Sequence, residues 1–112
     1  MQFIALIYST EGADDVEMDV LLDQYRAFGE AATEAGVMIA GEPLEPVSTA
    51  TSVRLRDGNT QLTDGPFAET KEQLGGFYLL ECKDLDEATH WAAQIPSARY
   101  GTIEVRPIMA FE

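Results

Sequence analysis

Ser52-Val53-Arg54-Leu55-Arg56-Asp57-Gly58-Asn59-Thr60-Gln61-Leu62-Thr63 divides the chain into two halves that carry the same order of elements. Val53 and Leu55 alternate with Ser52, Arg54 and Arg56, the period that sends successive strand side chains to opposite faces. Asp57-Gly58-Asn59 supplies the left-handed backbone of a tight hairpin, so the strand is expected to return through Thr60 to Thr63.

On the N-terminal side, Val37 to Ala40 reads as a strand that ends at Gly41 and Pro43. Before it, Leu21, Tyr25, Phe28, Ala32 and Ala35 recur at helical spacing and line one face. Asp14 or Asp15 is the expected cap of that helix, and Gly36 suits the left-handed residue after it. Residues 2–8 form an apolar opening strand. On the C-terminal side, Gly75 to Cys82 is a further strand. Asp84 and Glu87 make a capping-box pair for a second helix whose apolar face is Leu85, Ala88, Trp91, Ala92 and Ile95, stopped by Pro96. Thr102 to Arg106 closes the chain as an alternating strand. The order β-α-β, hairpin, β-α-β is the split βαβ arrangement of an α+β domain, with an antiparallel sheet and two helices on one face. Residues 1–112 are expected to form one domain, with no repeat, linker or low-complexity tract.

Two helices cover one face of a sheet, yet the opening strand is apolar on both: Phe3, Ala5 and Ile7 on one side, Ile4 and Leu6 on the other. A second copy of the chain is the simplest cover for the remaining face, because a symmetric dimer buries the same patch twice. A homodimer is the expectation.

Charge excludes several partners. Seven basic against 20 acidic residues give a net charge of −13, which repels phosphate backbones and anionic membrane surfaces. Glu11, Asp14, Asp15, Glu17, Asp19 and Asp23 crowd the start of the first helix, where the macrodipole favours carboxylates. A calcium loop counted from Asp15 fails, since Val20 stands where the loop needs glycine. Cys82 is the only cysteine, so no intrachain disulfide forms, and its place in an apolar strand reads as a small core residue. One histidine and one distant cysteine do not make a zinc site. Gly75-Gly76 leads into a strand and not a helix, so no nucleotide loop and no cofactor is expected. The first apolar run ends by Tyr8, short of a signal or membrane segment, and the expected residence is cytoplasmic.

The segment after the hairpin, Thr63-Asp64-Gly65-Pro66-Phe67-Ala68-Glu69-Thr70-Lys71-Glu72, is a turn that neither helix nor strand accommodates. Pro66 fixes its own φ and crowds Gly65, so Asp64 is presented on a stiff corner. Together with Leu74-Gly75-Gly76-Phe77-Tyr78 and Gly101-Thr102-Ile103-Glu104-Val105-Arg106-Pro107, this segment resembles the DGPF branch of the YCII-related proteins, and the resemblance runs over nearly the whole chain. It implies a ferredoxin-like fold that dimerises into an α/β barrel, in a family that largely lacks an assigned activity. Some relatives carry a His and Asp pair in a pocket. Here Asp64 matches the motif aspartate, but no histidine lies in the first helix or beside the motif. Members of the family also occur near extracytoplasmic-function sigma factors, which implies a regulatory partner as an alternative to catalysis.

Strand parity sorts the polar groups. If Val53, Leu55, Ile103 and Val105 face the helices, then Arg54, Arg56, Glu104 and Arg106 share the open face with Tyr8 and Tyr78. Arginine forks bind carboxylates in bidentate fashion, so this face is a candidate for a small anionic or enolic ligand clamped by Arg54 and Arg106. The bland alternative is cross-strand pairing of these arginines with Glu104. Asp64 is the candidate acid or base, provided a dry pocket surrounds it. Glu69 and Lys71 read as a surface ion pair, and His90 falls on the polar side of its helix. Two readings stand open at this point: an enzyme acting on a carboxylated or enolisable compound through Asp64, and a non-catalytic binding or regulatory module.

Overall fold

The computed structural model describes residues 1–12 and 17–111. Among the described residues six strands and two helices follow in the order β1 (Gln2–Ser9), α1 (Met18–Glu34), β2 (Met38–Pro43), β3 (Thr51–Arg56), β4 (Asn59–Asp64), β5 (Gln73–Glu81), α2 (Leu85–Ala92) and β6 (Thr102–Pro107). Short 3-10 turns at Val47–Thr49 and Pro96–Arg99 complete it. The main sheet has the order β2-β5-β1-β6, with every neighbouring pair antiparallel. The β1-α1-β2 and β5-α2-β6 halves therefore interleave, a ferredoxin-like α+β pattern. β3 and β4 stand apart as a two-stranded sheet of their own.

The core lies between the helices and one face of the main sheet. Phe3, Ala5 and Ile7 of β1 and Leu80 of β5 are buried against Phe28 and Ala32 of α1 and Ala88 and Ala92 of α2. Alternation in β1 explains the choice: its odd-numbered residues 3, 5 and 7 are buried and its even-numbered partners are not. Ile103 and Val105 pair with Ile7 and Ala5 and pack on the same core, as their alternation predicts.

The helix ends follow from local chemistry. Gly36 takes φ 74° after α1, and the Val37 amide donates to the Ala32 carbonyl at 2.9 Å. At the other end Glu17 precedes the first turn without a side-chain cap. The expected caps, Asp14 and Asp15, lie outside the described residues. Asp84 caps α2 by accepting the Glu87 amide at 2.9 Å, and Glu87 reaches back to the Lys83 amide at 3.1 Å. Leu85, expected on the buried side of α2, is instead 53% exposed.

The two edge strands of the main sheet each end in proline. β2 shifts register between Met38 and Ala40 and ends in Pro43, and β6 carries Glu104 and Arg106 and ends in Pro107. Among the described residues no helix is long and apolar enough to cross a membrane.

Candidate functional site

Gly65 is the pivot of the motif segment. Its φ of 99° lies in the left-handed region that side chains disfavour. Its amide donates to the Ala50 carbonyl at 2.7 Å, and Ser52 Oγ donates to its carbonyl at 2.8 Å. The chain thus leaves β4 fastened to the start of β3. Side chains clasp the far end of the segment. Gln73 donates Nε2 to the Thr70 carbonyl at 2.7 Å and accepts the Glu11 amide at 3.0 Å. Glu11 Oε1 accepts the Val47 amide at 2.8 Å, and Thr10 Oγ1 donates to the Lys71 carbonyl at 3.0 Å. The end of β1, the β2–β3 connection and the motif segment are held together in this way, although they lie far apart in sequence.

Between the β2–β3 connection and the motif segment lies a cleft of roughly 940 Å³, near the upper end of the size range of small-molecule sites. Leu44 and Pro46 line one side, Pro66 and Phe67 the other, and Tyr8 reaches it from β1. Phe67 is 82% exposed, an unusual position for the largest apolar side chain of a motif. The charged lining residues are Glu45 of the connection and Glu69 of the motif segment, and no lysine or arginine is among the described residues that line it. A smaller depression of roughly 500 Å³, lined by Arg26, Gly29, Glu30, Thr33 and Glu34, is formed by α1 alone and brings no second element against a ligand.

Of the residues singled out by sequence, Tyr8 lines the cleft; Asp64, Arg54, Arg106, Glu104 and Tyr78 do not. Asp64 ends β4 opposite Thr51 and is exposed. The expected single face bearing Arg54, Arg56, Glu104 and Arg106 does not form. Arg54 pairs with Gln61 in the hairpin, whereas Arg106 pairs with Ile4 in the main sheet. The hairpin being a separate sheet, Val53 and Leu55 lie outside the core that the helices cover and are 64% and 65% exposed. Within it, Asp64 alternates onto the side of Val53 and Leu62, opposite Arg54. Glu104 and Arg106 do share the uncovered face of the main sheet with Leu6 and Ile4, as expected. The ion pairs among the described residues are Met1–Glu81 at 2.7 Å and Arg26–Asp23 at 2.8 Å, so neither the Arg106–Glu104 pair nor the Glu69–Lys71 pair is formed.

Tyr78 is on the other side of the sheet from the one expected. It pairs with buried Ala5, and its ring lies 5.0 Å from that of Phe28 on α1. Burial first, and the neighbouring Tyr25 phenol second, push its pKa from 10.0 up to about 12. The folded state therefore keeps a proton that the unfolded chain has released. This contribution to stability is complete below about pH 10 and is lost as pH rises toward about 12. Tyr78→Phe is expected to flatten the fall in urea midpoint across that window; an equally steep fall in the variant would speak against a buried phenol.

His90 is exposed, with its Nε2 2.9 Å from Gln94 Nε2, and stands edge-on to Trp91. Cys82 is buried, and burial together with Glu87 raises its thiol pKa, consistent with a core role. Sequence reasoning missed Phe67, Glu45 and the Glu11–Gln73 clasp. The one signal for Phe67 was a bulky aromatic inside an otherwise polar turn, and for the opposite side the closely spaced Pro43 and Pro46, which favour an extended path.

Two comparisons bear on this site. The family model described as the YCII-related domain matches residues 1–112. The uncharacterized protein R00369 of Rhizobium meliloti (strain 1021) is 36% identical over all of this chain and 95% of its own length.

Proposed function

The chain belongs to the YCII-related domain family, and within it we propose a DGPF-branch protein that binds a small molecule in the cleft beside the motif segment, without turnover by the single chain. The observation that carries this reading is that the motif itself, through Pro66 and Phe67, builds one side of a cleft large enough for a ligand. The enzymatic reading, with Asp64 as acid or base on a carboxylated or enolisable compound, is weaker. Asp64 is exposed to water and does not line the cleft, and a general base needs contact with the proton it removes. Arg54 and Arg106 sit on different sheets, which leaves an anionic ligand without the paired clamp.

The same reading includes a homodimer. Ile4 and Leu6 of β1 and their cross-strand neighbours Leu79 and Phe77 of β5 make an apolar patch on the uncovered face of the main sheet. No helix covers it, and a second copy buries it symmetrically.

A fragment screen followed by amide chemical shifts tests the cleft. Binding fragments are expected to perturb residues 43–52 and 66–74, and Phe67→Ala is expected to weaken them by about tenfold, on the scale of losing one aromatic anchor. Asp64→Asn should leave the same fragments bound. A broad panel that perturbs nothing, or only residues elsewhere, removes the reading. A hit that loses affinity on Asp64→Asn and is chemically altered over time would restore the enzyme.

A further inference from the structure

We propose that the cleft selects organic ammonium ions with an apolar body, held between the Glu45 and Glu69 carboxylates and against the rings of Tyr8 and Phe67. The inference rests on the cleft being a ligand site and assigns it a ligand class.

The lining sorts by chemistry. Leu44, Pro46, Val47 and Leu74 offer hydrocarbon surface, so the ligand carries an apolar portion whose transfer from water is favourable. Its charged groups are carboxylates of one sign, Glu45 from the β2–β3 connection and Glu69 from the motif segment. An anion would enter against both, with no guanidinium or ammonium among the described lining residues to offset them. A cation gains from both. The aromatic content points the same way, because the face of a tyrosine or phenylalanine ring attracts an ammonium group through its quadrupole, more strongly as water is displaced.

The hydrogen bonds around the cleft leave these groups free for a ligand. Ser52, Thr49 and Thr70 spend their hydroxyls on the backbone, at Gly65, Pro46 and Glu72. Gln73 is consumed by Thr70 and Glu11. No ion pair engages Glu45 or Glu69 among the described residues. The neutral polar groups therefore build the walls, while the carboxylates remain available. The net charge of −13 adds a long-range field that concentrates small cations near the surface and disperses anions.

The test uses three probes of similar size and different charge: 2-phenylethylammonium, 2-phenylethanol and phenylacetate, titrated into the intact protein at neutral pH and followed by amide shifts of residues 43–52 and 66–74. The ammonium is expected to bind at least about tenfold more tightly than the alcohol, with phenylacetate giving no saturable shift. The double variant Glu45→Gln, Glu69→Gln should bring the ammonium to the affinity of the alcohol and leave the alcohol unchanged. Both positions are exposed, so the variant is expected to fold as the wild type does. Equal binding of alcohol and ammonium, tighter binding of phenylacetate, or an ammonium affinity indifferent to the double variant each overturns the charge selection while the cleft remains a ligand site. If none of the three probes reaches the cleft the selection is also overturned, and the fragment screen then decides the cleft by itself.

Discussion

Leu6→Glu is expected to give a folded monomer. Leu6 lies in β1 on the uncovered face, with Phe77 beside it on β5 and Glu104 beside it on β6. A carboxylate there would be buried in a face-to-face dimer directly beside Glu104 of its own chain, with Arg106 two residues further along β6. Burying an additional carboxylate, which leaves this face with an excess of negative charge, costs several kcal/mol, enough to raise the dissociation constant by about a thousandfold or more. In the single chain the same side chain stays accessible, so the fold is retained. Sedimentation equilibrium at micromolar concentration should give about twice the 12.3 kDa chain mass for the wild type and the chain mass for the variant. Phe3→Glu is the control, three residues away in sequence but 1% exposed in the core. It should unfold the chain outright. A wild type that sediments as a monomer, or a Leu6→Glu protein that stays paired, ends the face-to-face dimer.

The second large effect concerns Gly101. A Cβ at this position would stand 2.2 Å from the Tyr8 carbonyl oxygen and 3.2 Å from Ser9 Cα. These are backbone atoms, so no rotamer change relieves the clash, and β6 must separate from the end of β1. Gly101→Ala is expected to cost about 3 kcal/mol, at the upper end of overpacking, and to lower the melting temperature by roughly 12–20 °C for a domain of this size. Tyr8 is itself part of the cleft wall, so ligand-induced shifts should weaken as well. Gly29, inside α1, gives the opposite sign. Nothing lies within 4 Å of its added Cβ, and alanine in a helix interior gains about 0.5–1 kcal/mol over glycine. A Gly101→Ala protein as stable as the wild type would mean that β1 and β6 do not approach this closely.

The contrast between Ile103 and Val53 states what sequence periodicity can carry. Both sit in alternating strands, and in both the alternation correctly separates one side from the other. Ile103 faces the helices because β6 joins the main sheet; Val53 faces water because β3 joins only β4. Alternation says which residues share a side, and is silent on which sheet that side belongs to. Tyr78 illustrates a second limit. Phe77, Tyr78, Leu79 and Leu80 are all apolar, so the run carries no amphipathic mark, and its facing is fixed by the register with Ala5. Helices marked by recurrent apolar residues and by Gly36, Asp84 and Glu87 were legible because those signals are local. The cleft was not, since its two sides meet only through the pairing of β2 with β5 and through the Glu11–Gln73 clasp.

The edge strands of the main sheet bear on solution behaviour. An edge strand is a template for further chains, since its free N–H and C=O groups accept another strand as readily as a neighbour of the same sheet. Proline brings no N–H, a register fault breaks the spacing of the template, and charged side chains at an edge resist the desolvation that packing on another strand requires. Pro43 and the Met38/Ala40 fault guard one edge, and Pro107 with Glu104 and Arg106 guards the other. Self-association in the hydrogen-bonding direction is therefore disfavoured at both edges of the main sheet.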